Sequence, residues 1–212
     1  MEFIRAHRRL LFLNILSLVS FVLLAIEALE KEGKPMFDIW VYHIRGLFQT
    51  NALTNVMTAT SYIFDPVVLL FVTIILFIIL YTNNKKISSY IFLFSMTLGL
   101  LSVVFFKQIF TIARPIGDIV VSGGSFPSGH ATGAAVFFMT ILFSLEKKVK
   151  DETVHILLAV VAFGLTLLTG LSRLYLGVHW FSDVIAGFAL GMFWVTLSFL
   201  VFHKYKSKSK QV

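Results

Sequence analysis

Cysteine is absent from the 212-residue chain, so disulfides, thiolate catalysis and Cys-ligated metals are excluded outright. Charge is the second scarcity. Asp, Glu, Lys and Arg make up 14% of the residues, against roughly 25% in an ordinary soluble domain. There is no internal repeat or low-complexity segment, and the length suits one domain rather than two. Apolar residues fill the space instead. They account for 58% of the chain, with 23 Phe, and the mean hydropathy is +0.88. A soluble protein of this size could not hide so many apolar side chains, so lipid is the expected solvent.

A helical span needs about 20 mainly apolar residues. Six runs come close: Leu10–Ile26, Pro66–Asn84, Ile87–Phe106, Ala131–Leu145, Thr153–Ser172 and Val184–Phe202. They are long runs of Leu, Ile, Phe and Val, without the alternation over about 10 residues that marks a membrane barrel strand. The expected fold class is all-α: a polytopic membrane protein with six transmembrane helices, residues 1–212 forming a single transmembrane domain. The first run follows Arg5, Arg8 and Arg9 in the manner of a secretory signal. It exceeds the ~7–15 residues of a signal core, and Glu27-Ala28-Leu29-Glu30 is a poor cleavage site. It reads as a retained anchor.

The net charge of +7 raises nucleic acid as a partner, and its distribution argues against one. With six spans, one side holds Arg5, Arg8, Arg9, Lys85, Lys86, Lys147, Lys148, Lys150, Lys204, Lys206, Lys208 and Lys210. The other holds Lys31, Lys34, Arg45, Lys107, Arg114 and Arg173. The richer side is expected in the cytoplasm, together with both termini. Most of the basic excess is then a topology signal plus attraction to anionic lipid heads. The outer segment Glu30–Asp65 carries Phe37, Trp40, Val41, Ile44, Leu47 and Phe48 at roughly helical spacing, which predicts an interfacial helix. Trp40, Tyr62, Tyr81, Tyr175, Trp180 and Tyr205 fall near span ends, as an interfacial aromatic belt would.

Three polar groups remain, all at outer span ends. The first is Lys107 with Arg114 and Pro115. If the third span continues to Pro115, the two cations share a face, because seven residues is nearly two turns. Alone, they could be cations snorkelling at a helix end. The second is Pro127-Ser128-Gly129-His130. Ser128 suits an N-cap, Gly129 leaves backbone N–H groups accessible, and a helix N-terminus binds phosphate. Alone, it could be simple capping. The third is Ser172-Arg173, then His179 and Asp183. His179 and Asp183 are four apart at the start of the sixth span, hence on one face. A carboxylate there accepts a proton from one ring nitrogen and leaves the other free as a nucleophile. Alone, that pair could be structural. Together, three cations, a helix N-terminus and two His make a phosphate site by chemistry.

These residues, Lys107-x6-Arg114-Pro115, Pro127-Ser128-Gly129-His130 and Ser172-Arg173-x5-His179-x3-Asp183, resemble the three-part signature of the type 2 phosphatidic acid phosphatase superfamily. Every signature residue is present, in order and with the expected spacing, from Lys107 to Asp183. The short loops and small size are similar to the bacterial membrane lipid phosphatases of the phosphatidylglycerophosphatase type. The resemblance implies that His179 is the nucleophile, forming a phosphohistidine, and that Asp183 orients it. It implies that His130 protonates the leaving alkoxide and then activates water. Lys107, Arg114 and Arg173 would hold the phosphate oxygens, assisted by Ser128 and the Gly129 N–H. It implies no metal and no other cofactor, and Asp118 and Asp183 do not form a carboxylate cluster suited to Mg²⁺.

The substrate this implies is phosphatidylglycerophosphate, giving phosphatidylglycerol. Undecaprenyl diphosphate and phosphatidic acid are the alternatives. The expected location is the cell membrane, with the site facing outside and with lipid, not nucleic acid or an obligate protein, as partner. A phosphate or phospholipid transporter is the rival class. Transporters show inverted repeats and broken mid-membrane helices, and the sequence displays neither. Gly129-x3-Gly133 and Gly187-x3-Gly191 are small-residue spacings that predict close packing of the fourth and sixth spans. That packing would bring His130 toward His179.

Overall fold

The computed structural model describes residues 7–29, 35–117, 122–145 and 149–208, with side chains to residue 204. Arg5, Glu30, Lys31, Lys34, Asp118, Lys147, Lys148 and Lys210, which enter the charge, signal and metal arguments above, lie outside the described residues. The side chains of Tyr205, Lys206 and Lys208 do as well.

The described residues form α-helices, without a strand, and the connection between Ile109 and Gly129 is a long one. They are α1 (Arg8–Leu29), α2 (Met36–Arg45), α3 (Asn51–Ile63), α4 (Pro66–Thr82), α5 (Lys86–Ile109), α6 (Gly129–Leu145), α7 (Glu152–Tyr175) and α8 (Phe181–Lys208). All six apolar runs fall on helices. Among the described residues, four helices are long and apolar enough to cross a membrane: α1, α5, α7 and α8 as far as Lys204. The α3–α4 pair passes the same test only as one span bent by 44°. The apolar α6 has 17 residues, about 25 Å of helix against a hydrocarbon core of about 30 Å.

That bend was not legible as a broken helix, and its cause is local. Pro66 opens α4 and the residue before a proline avoids the helical region. Asp65 accordingly has φ −60° and ψ 137°, and its side chain caps α4. The Glu30–Asp65 segment also differs from the single interfacial helix expected. It contains α2, a short 3₁₀ turn at Gly46–Phe48 and α3, which Thr50 caps by accepting from the Leu53 N–H at 3.2 Å.

Outward faces carry large apolar side chains, among them Ile15, Leu23, Phe71, Leu157 and Val160, as lipid-facing surfaces do. The interior around α6 and α8 includes small residues, Ala131, Ala134, Thr132, Val195 and Thr196, beside the large Met96, Phe126 and Met139. Helix α8 packs against α1, α5 and α6. Its Gly187 and Gly191 lie against α6 backbone. A Cβ on Gly187 would sit 2.6 Å from the Ser128 carbonyl oxygen, and one on Gly191 would sit 2.9 Å from that of Thr132. Only glycine permits this approach, so the small-residue spacing sets the α6–α8 distance. Gly129 and Gly133 face Pro66 of α4 instead. Polar bonds tie the interior further: Asn14 Nδ2 donates to the Phe193 carbonyl and to Thr196 Oγ1, both at 3.0 Å.

Helix α2 lies across the loops at one end of the bundle. Asp38, Tyr42 and Arg45 share one face. Asp38 is buried and accepts from Ser182 N (2.8 Å) and Ser182 Oγ (2.7 Å). Tyr42 Oη and Arg45 Nη2 both donate to the Ile116 carbonyl, at 2.9 and 3.0 Å. The opposite side exposes Met36, Phe37 and Trp40.

Candidate active site

Lys107 stands in the last turn of α5, and His130 in the first turn of α6. Arg173 stands in the last turn of α7, and Asp183 in the first turn of α8. Helix α6 packs against α5, α7 and α8, and these four positions meet at one end of the bundle. Arg114 and His179 are carried there by the connections.

The α5 helix does not continue to Pro115, contrary to the shared-face expectation. It ends at Ile109, and residues 110–117 are non-helical. Pro115 contributes, since Arg114 before it is biased away from the helical region. The two cations nevertheless converge on one acceptor. Lys107 Nζ donates to the Gly124 carbonyl at 2.6 Å, and Arg114 Nη2 donates to the same oxygen at 3.0 Å. Arg114 Nε donates to the Gly123 carbonyl at 3.1 Å and Nη1 to that of Val178 at 2.7 Å.

His179 also lies outside its expected helix, on the turn that Gly177 makes at φ 64° before α8 begins at Phe181. The pairing still forms: His179 Nδ1 is 3.4 Å from Asp183 Oδ2. The same oxygen accepts the Trp180 backbone N–H at 2.9 Å, so Asp183 caps the start of α8 while it meets the imidazole. The Asp183 carbonyl accepts from Ser128 N at 3.0 Å, joining the second and third motifs through backbone. Ser128 caps α6, its Oγ accepting from Ala131 N at 3.4 Å.

On its far side, His179 Nε2 lies 3.2 Å from Arg114 Nη1. A guanidinium only donates, so Nε2 is the unprotonated nitrogen and Nδ1–H faces the carboxylate. The ring is 5% exposed. Burial lowers its pKa to about 4, outweighing the hydrogen bond and charge of Asp183. Burial also lowers the Arg114 pKa, opposed by Asp183. His179 is therefore neutral at pH 7.

A depressed histidine pKa has a stability consequence. The unfolded ring takes up its proton near pH 6.5, while the folded ring resists until about 4. The contribution of His179 to stability is present above 6.5 and is lost as pH falls toward 4. Thermal melts of the detergent-solubilised protein are expected to show wild type losing more stability than His179→Gln across that window. Equal slopes would contradict a buried neutral ring.

Arg173 is buried and its Nη1 donates to Ser61 Oγ of α3. Its Nε and the Asp183 Oδ1 are buried without a hydrogen-bond partner among the described residues. His130 Nε2 lies 3.4 Å from Asp65 Oδ2. Gly129 is the first residue of α6, beside the Ser128 cap. Ser61 and Asp65, on the α3–α4 hinge, escaped the sequence reading. Asp65-Pro66 was visible there as a helix-start pattern, but nothing local tied it to His130. Tyr175 departs from the aromatic-belt expectation. It is buried, with its hydroxyl 2.9 Å from Thr54 Oγ1. Among the described residues no three His, Asp or Glu side chains are grouped to hold a metal ion.

Apolar helices enclosing three cations and two histidines at one end are those of a helical membrane protein. The profile of the PAP2 superfamily matches residues 88–207, which span all three motifs, and the chain belongs to that superfamily. Phosphatidylglycerophosphatase B of Bacillus subtilis (strain 168) is 40% identical over 72 residues, which cover 34% of this chain and 36% of that protein. The match thus spans about a third of the curated relative's length. Among solved structures, the first transmembrane PAP2-type phosphatidylglycerolphosphate phosphatase from Bacillus subtilis superposes with a TM-score of 0.78 at 24% identity, covering 92% of this chain and 96% of that one. LpxE from Aquifex aeolicus follows with a TM-score of 0.63 at 21% identity, covering 80% and 98% respectively. At these identities the two structures speak to the fold.

Proposed function

We propose that the protein is an integral membrane lipid phosphatase that hydrolyses the phosphomonoester of phosphatidylglycerophosphate to phosphatidylglycerol and phosphate. The observation that carries this reading is the setting of His179. Its neutral ring presents Nδ1 to Asp183 and a lone pair at Nε2 to a cationic cradle. The substrate assignment draws on the name of the Bacillus subtilis relative.

In the first step the Nε2 lone pair of His179 forms an N–P bond while the P–O bond to the lipid breaks. The departing alkoxide takes a proton from His130, which leaves as the neutral lipid alcohol. Lys107, Arg114 and Arg173, with Ser128 and the Gly129 N–H, hold the three phosphoryl oxygens in the transition state. Arg114 shifts its Nη1 from the ring to an oxygen as phosphorus arrives. In the second step His130 takes a proton from water, the water oxygen attacks phosphorus, and the N–P bond breaks. Phosphate departs and His179 is restored. These donors are cations and N–H groups, whereas Mg²⁺ takes oxygen ligands, so the reading is metal-independent.

The same reading treats residues 1–212 as one domain with six spans, α4 and α6 included, both termini cytoplasmic and the site facing outside. The distribution of Lys and Arg supports that orientation. The decisive assay compares kcat/KM on phosphatidylglycerophosphate, undecaprenyl diphosphate and phosphatidic acid, in EDTA. The first is expected to lead with full activity in the chelator. A higher value on another lipid reassigns the substrate, and a strict Mg²⁺ requirement sinks the metal-independent scheme.

A further inference from the structure

Among the described residues, two His–Asp contacts occur at this end of the bundle, and only His179–Asp183 belongs to the signature motifs. The second joins His130 to Asp65, whose Oδ2 is 3.4 Å from Nε2. The first two residues of α4 hold Asp65 in place. Pro66 fixes the backbone at the break, and Asp65 Oδ1 accepts the Val67 N–H at 2.8 Å. Capping uses one oxygen and leaves the other toward the imidazole. Asp183 combines the same two tasks on a single oxygen, Oδ2 binding the Trp180 N–H and facing His179. The site thus uses one device twice: a carboxylate immobilised at a helix start and aimed at a histidine. The α3–α4 hinge also contributes Ser61, which accepts from Arg173. The hinge is therefore a wall of the site, touching both an anion-binding cation and the second histidine.

We propose that Asp65 is the positioning residue of His130, holding the ring nitrogen at Nε2 and balancing the imidazolium that must form whenever His130 carries a proton for the leaving group. The inference rests on the reading of His130 as the leaving-group acid. It gives the bent pair a catalytic purpose. A hinge that shifts α4 by one turn would carry Asp65 about 5.4 Å away and leave His130 without its carboxylate.

Leaving-group dependence tests this. Phosphatidic acid expels an alkoxide that needs a proton, whereas p-nitrophenyl phosphate expels a phenolate that does not. Asp65→Asn keeps an oxygen for the Val67 N–H, and Asp65→Ser is a second good cap without a carboxylate. Both are compared with wild type by first-turnover phosphoryl transfer to the purified full-length protein. The expected result is a loss of about tenfold or more on phosphatidic acid, with KM and the p-nitrophenyl phosphate rate within about threefold of wild type. Neither variant should slow a His130→Ala protein further. Equal losses on both substrates, full activity, or additive losses with His130→Ala overturn the proposal. A slow His130→Ala beside a full-rate Asp65→Asn overturns it alone. A full-rate His130→Ala overturns the acid assignment and the proposal together.

Discussion

Purified His179→Ala is expected to release no phosphate above background from any lipid phosphate. The predicted loss is on the order of 10⁴–10⁶, the scale seen when a covalent nucleophile is deleted. The other described histidine here, His130, faces Asp65 rather than Arg114, and the cations lack lone pairs. The change removes a buried ring, so the melting temperature must be measured beside activity. A folded protein of wild-type elution volume with no turnover is the informative outcome. A labelled phosphoenzyme is expected in quenched wild-type reactions and should be absent from the variant. Undiminished phosphate release from His179→Ala would refute the covalent scheme, and release without a trapped intermediate in wild type would favour direct attack by water.

The second large effect belongs to Asp183→Asn. An asparagine can keep its oxygen at the Oδ2 position, accepting from Trp180 N and His179 Nδ1, while its NH₂ takes the place of the unpaired Oδ1. Geometry and the start of α8 survive; the negative charge does not. As the N–P bond forms, positive charge develops on the imidazole, and a fully buried carboxylate is its counterpart. In the serine-protease triad the corresponding substitution lowers kcat by about 10⁴. A fall of roughly 10²–10⁴ in kcat is expected here, with KM and thermal stability near wild type. A variant that loses stability and substrate affinity together but turns over at the normal rate would assign Asp183 to architecture alone.

The parts of this molecule that the sequence disclosed share a physical cause. Apolar runs are long, so the helices built from Leu10–Ile26, Ile87–Phe106, Thr153–Ser172 and Val184–Phe202 were legible from composition alone. Gly187 and Gly191 announced the close α6–α8 approach because only a missing Cβ allows it. The motif residues come together because each sits at a helix end or in a connection, where a short stretch of sequence fixes the placement. What stayed hidden depended on partners far along the chain. Asp65 and His130 are 65 residues apart, and no periodicity links them. The end of α5 at Ile109, which leaves the conditional shared face of Lys107 and Arg114 unformed, was not legible because Phe110 and Ile112 continue the apolar pattern while residues 110–117 are non-helical. Asp38 and Arg45 lay on an expected interfacial helix, but their grip on Ser182 and Ile116 is a tertiary fact.

The glycine seam between α6 and α8 sets a mechanical limit. Where two helices touch through backbone, no rotamer can cushion a change, and the interface behaves as a fixed gauge rather than a spring. The Ser128 N–H reaching the Asp183 carbonyl fastens that gauge at the active end. The spacing between Ser128 and Asp183 is thus set by peptide geometry.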